Sequence, residues 1–110
     1  MLNVLEQIPY EDDKMGKRIL VNEPYLQLIQ IALNPGQAVP PHNANSNVYV
    51  LTLQGCLCVE LDGTPNTTKP GSLLDVALNT PMKIHNPNKE PATFLVLKTP
   101  HPTAIGNTKS

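Results

Sequence analysis

No run of apolar residues in this chain approaches the ~18 that a membrane span requires, and the sequence is not read as membrane-bound. A basic block is also lacking. Lys17 and Arg18 are the densest cationic pair and the net charge is -1, which argues against nucleic acid as the main partner. The first residues, MLNVLEQIPYEDD, have neither the basic start nor the apolar centre of a secretory leader, so the expected location is the cytoplasm. Cysteine is scarce, with only Cys56 and Cys58. Two thiols fall short of the three or four ligands of a zinc site. Same-face neighbours along one strand are also poorly placed for an unstrained disulfide. Both are expected to be reduced and packed as small hydrophobes. Long helical patterns are absent too; the best candidate, Val4 to Ile8, is ended by Pro9.

What is present is proline, 12 of 110 residues. None of the prolines interrupts a long apolar segment; they separate short ones, which is the rhythm of an all-β domain. The segments YLQLIQIAL (25–33), VYVLTL (48–53), CLCVEL (56–61), SLLDVAL (72–78) and TFLVLK (93–98) are rich in strand formers. Asn34-Pro35-Gly36, Gln54-Gly55, Asp62-Gly63, Lys69-Pro70-Gly71 and Asn86-Pro87-Asn88 mark turns between them. Strands apolar on both faces predict a closed barrel or sandwich. At 110 residues the chain is one domain and too short for a doubly wound sheet. The expected organisation is an N-terminal strand or arm over 1–24, a barrel over 25–98 and a loose tail over 99–110.

The glycine spacing carries a resemblance. Gly36 is followed by five residues and then His42, and Gly55 closes the segment. This resembles the first motif of the small single-domain cupins of the conserved-barrel (cupin 2) type. In those proteins a second histidine and a glutamate complete the motif. Ala44 and Val48 occupy those positions here. The second motif is similar to Gly71-Ser72 through Pro81. Asn79 stands at a turn glycine, Met82 at the ligand histidine and Asn86 at the motif's asparagine. The resemblance implies an all-β cupin-type double-stranded β-helix, a jelly-roll barrel. It also implies a metal site of which only His42 keeps its residue type. No metal and no other cofactor is expected, since a thioether such as Met82 is a poor ligand for iron, manganese or zinc.

The expected function is therefore small-molecule binding in the barrel cavity, with His42, Thr52, Gln54 and Met82 as cavity candidates beside Ala44 and Val48. Thr52 and Gln54 are included because strand alternation places them on the face of Val48. His42 is the candidate catalytic residue for a different reading. In that reading the protein is a metal-independent isomerase or epimerase, with His42 paired to Tyr49 or Tyr25 as acid and base. A metal-dependent cupin enzyme with non-standard ligands is the remaining alternative. His85 is expected outside the pocket and His101 in a solvated tail. The apolar residues on both faces of YLQLIQIAL and VYVLTL predict a homodimer.

Overall fold

The computed structural model describes residues 1–106. Nine strands and one short helix run in chain order: β1 (Gly16–Glu23), β2 (Leu26–Leu33), β3 (Ala38–Asn43), β4 (Asn47–Gln54), β5 (Leu57–Leu61), β6 (Thr64–Thr68), β7 (Leu73–Val76), β8 (Pro81–His85), β9 (Ala92–Thr99) and α1 (Pro102–Gly106). They form two antiparallel sheets, one ordered β1-β2-β9-β4-β7 and the other β3-β8-β5-β6. Among the described residues no helix is long and apolar enough to cross a membrane.

Alternation along the strands builds the core. Ile29, Ile31 and Leu33 of β2, Val48 and Val50 of β4, and Phe94 and Val96 of β9 face inward from the larger sheet. Leu57 and Val59 of β5 with Met82 and Ile84 of β8 face them from the smaller one. Two motif residues hold the turns. Asn79 has φ 72°, a conformation asparagine tolerates better than most residues. Asn86 is fully buried. Its Nδ2 donates to the carbonyls of Leu33 (3.1 Å) and Glu90 (2.8 Å), and its Oδ1 accepts from the Asn88 N–H at 3.0 Å. A single side chain thereby joins the end of β2 to the β8–β9 turn.

The ends of the chain are more engaged than expected. β1 pairs with β2 from Gly16↔Ala32 to Glu23↔Leu26, so it is an edge strand of the larger sheet. The segment before it lies against that sheet's outer face. Gln30, fully buried, donates to the Val4 carbonyl at 2.8 Å and to Thr93 Oγ1 at 3.0 Å. Arg18 donates to Gln30 Oε1 at 2.8 Å and to the carbonyls of Gln7 and Glu6 at 3.0 and 3.2 Å. Residues 4–8 make turns and bends here rather than a helix.

The tail expected to be loose over 99–110 is tied down as far as the structure describes it. Thr99 pairs with Asn47 inside β9. Ser46 Oγ donates to the Pro100 carbonyl at 2.6 Å and the His101 N–H to the Pro24 carbonyl at 3.1 Å. His101 is half-buried, with Nε2 2.8 Å from Asn22 Oδ1, rather than solvated. Hydrogen bonding of the Pro24 and Asn22 region outweighs the polar composition on which a loose tail was expected. Residues 107–110 lie outside the described part of that expectation.

Candidate functional site

Proline shapes the first wall of the site. Pro40 and Pro41 lack amide hydrogens and cannot continue a ladder, and β3 is an edge strand, where prolines are tolerated. The ladder to β8 slips between Val39↔Ile84 and His42↔Met82, so Pro40 and Pro41 stand opposite Lys83 alone. This bulge shifts His42 by one position, onto the same side as buried Met82. His42 remains exposed, and its Nδ1 lies 3.0 Å from the Pro40 carbonyl. A carbonyl only accepts, so this bond puts the hydrogen on Nδ1 and leaves the Nε2 lone pair of the neutral ring available.

Between the sheets lies a cavity of about 170 Å³. Its walls are apolar and include Ile29, Val39, Val48, Met82, Ile84 and Val96. Its polar lining consists of Lys17, His42, Asn45 and Lys98. Lys98 is the less comfortable of the two lysines. Burial, and then the charge of Lys17, hold its pKa below the ordinary 10.5.

Several expected residues stand elsewhere. Val48, Met82 and His42 do meet at the cavity. Ala44 is buried but packs in the core outside the cavity lining. Thr52 and Gln54 are corrections. Thr52 faces inward and is buried, but away from the cavity, where its hydroxyl bonds that of Thr68 at 2.8 Å. Gln54 is exposed. The β4–β9 register slips between Thr52 and Gln54, so Gln54 pairs with Thr93 rather than with the next inward position. One extra residue in a strand reverses the facing of every later residue.

Other residues stand where expected. His85 is exposed on β8 and lines no part of the cavity. Cys56 and Cys58 are free and half-buried. The pairing of His42 with Tyr49 or Tyr25 is a correction: both tyrosines are exposed and neither lines the cavity beside His42.

Lys17 and Lys98 were not among the sequence candidates. The alternation Phe94, Val96, Lys98 was enough to place Lys98 inward. Lys17 belongs to the segment read as an arm, and only its pairing with Ile31 turns it toward the core.

The donors do not fit a cupin metal. A catalytic site takes about three protein ligands. At the cavity His42 supplies one imidazole and Met82 a thioether, while Val48 supplies nothing. Among the described residues no three of His, Cys, Asp and Glu come together.

Comparison with known proteins agrees with this architecture. No family profile matches the chain. An uncharacterised protein of Methanocaldococcus jannaschii is 36% identical over 87 residues, covering 78% of this chain and 75% of that protein. Its crystal structure, described as an RmlC-like cupin family protein with a double-stranded β-helix fold, superposes with a TM-score of 0.76 at 32% identity. That match covers 88% of this chain and 92% of the other. A cupin 2 conserved barrel domain protein from Leptotrichia buccalis shares the fold at a TM-score of 0.80 and 24% identity, over 89% of this chain and 47% of that one.

Proposed function

The chain belongs to the RmlC-like cupin family, and on that premise we propose that it binds a small organic molecule in the cavity between its sheets, without a resident metal. The observation that supports this reading is the apolar cavity lined by Val48 and Met82, at positions where the family's ligand residues would stand. Its size suits a small ligand: a dry cavity of about 150 Å³ admits a molecule the size of benzene. His42 contributes a hydrogen-bonding group at the rim.

In the same reading two copies associate through the outer face of the larger sheet. Cross-strand pairing sets Leu97 between Leu28 and Tyr49, and Leu51 between Leu95 and Leu73. Tyr49 and Leu73 are 41% and 61% exposed. A row of apolar side chains of this kind is the surface expected to be covered by a partner.

The test begins with elemental analysis of untagged protein purified without chelator, and of His42→Ala. The expected result is metal far below one equivalent in both. Mass spectrometry of the denatured protein, or NMR with small apolar probes, should then find an organic occupant of the cavity. About one metal per chain, lost in His42→Ala, would overturn the reading.

A further inference from the structure

Two cations line an otherwise apolar cavity, with no anion beside them. Lys17 pairs with Ile31 across β1–β2, and Lys98 pairs with Gln27 and Val48 across β2–β9–β4. Directly paired residues share a sheet face, so both lysines leave their strands on the face of the core. The cavity lining includes no Asp or Glu: it is apolar except for these two, His42 and Asn45. Among the described residues the ion pair of Lys83 with Glu60 lies elsewhere, and neither Lys17 nor Lys98 has a carboxylate partner. Lys98 loses hydration beside the apolar walls and is repelled by Lys17, which is exposed. A bound anion would relieve both costs.

We propose that the cavity selects a small monocarboxylate with an apolar body, its carboxylate held at the mouth by Lys17 and Lys98. This rests on the reading of the cavity as a binding site and names the ligand's chemistry. The walls decide the body of the ligand. Ile29, Val48, Met82 and Val96 offer no hydrogen bonds to the hydroxyls of a sugar, so burying such a group there would be costly. The volume admits roughly six to nine non-hydrogen atoms, taking a dry cavity that holds benzene as the scale. The mouth decides the head group. Lysines act as point charges with rotatable donors; two of them serve the two oxygens of a carboxylate, whereas the apolar walls hold no donors for the further oxygens of a phosphate. The Asn45 side-chain amide can donate to the carboxylate as well, whereas the Nε2 lone pair of neutral His42 cannot.

The experiment is an NMR titration of the full ¹⁵N-labelled chain with hexanoate and benzoate, and with the neutral hexanamide and benzamide. Toluene serves as an apolar probe of the cavity. Each acid is expected to bind about tenfold or more tightly than its amide, as for a hydrogen bond to a charged group. The advantage should shrink as salt is added. The shifts should centre on Val48, Met82 and Val96. In the Lys17→Gln/Lys98→Gln double variant the advantage is lost and amide binding persists. Lys98→Met alone loses part of it, and the dispersion of each variant's spectrum reports its folding. Equal affinities for acid and amide, or binding of toluene alone, would overturn the carboxylate inference and leave the cavity reading standing. An acid preference that survives the double variant would overturn the role of the lysines. If none of the five compounds shifts cavity residues, both the inference and the reading beneath it fall.

Discussion

At Lys98, burial and the neighbouring Lys17 both act against the protonated form. Between its lowered pKa and the ordinary 10.5 the folded chain holds fewer protons than the unfolded chain. Stability in that window therefore rises with pH, and the penalty is fully felt below it. Lys98→Met removes the charge and keeps an unbranched side chain, one atom shorter. It should raise the thermal midpoint at neutral pH and flatten the alkaline pH response, checked by calorimetry across a pH series. A variant no more stable than wild type would remove the electrostatic cost assigned to this side chain. Legibility at this scale was uneven. His42, Val48 and Met82 were found by the resemblance to the cupin motifs, which the glycine spacing carries. Gln54 was misplaced because nothing in LTLQG marks the bulge before it. The lysines were missed because a charged residue at an inward position runs against the pattern used to find such positions.

Strands with apolar alternation announced themselves: β2, β5 and β7 fall within the segments that composition marks, and β4 and β9 extend one residue beyond theirs at each end. β3 and β6, reading AVPPHN and TPNTT, did not. They lie at the two edges of the smaller sheet, where one side of the ladder is free and proline is permitted. The glycines were the more reliable guides. Gly55 has φ +75°, and a Cβ there would lie 2.5 Å from the Pro91 carbonyl oxygen and 2.8 Å from Ala92. Both the left-handed backbone and the close approach require glycine, so the β4–β5 turn and the start of β9 are packed through this residue. Gly55→Ala should cost about 2–4 kcal/mol, read as a lower denaturation midpoint in guanidinium with an unchanged slope. A loss within experimental error would show that this turn can move.

For the whole molecule, the outer face of the larger sheet sets the expected assembly. Tyr49→Lys with Leu73→Lys should convert a dimer of about twice the 12.0 kDa chain mass to a monomer, measured by light scattering after size exclusion. A wild-type monomer at micromolar concentration would overturn the dimer. β1 adds a consequence of another kind. Its successive residues work on opposite sides of one sheet: Lys17 lines the cavity, itself exposed, while Arg18 clasps the carbonyls of the N-terminal arm. An edge strand has a ladder on one side only, so its seat depends on what grips it from above and below. Any coupling of ligand and arm through β1 is reciprocal, each changing the other's affinity by the same factor. A carboxylate bound within should slow protease cleavage near residues 1–10, and Arg18→Ala should weaken that carboxylate from the far side of the sheet. If arm cleavage proves indifferent to ligand, the two faces of β1 act independently. Otherwise the arm serves as an external gauge of whether the cavity is full.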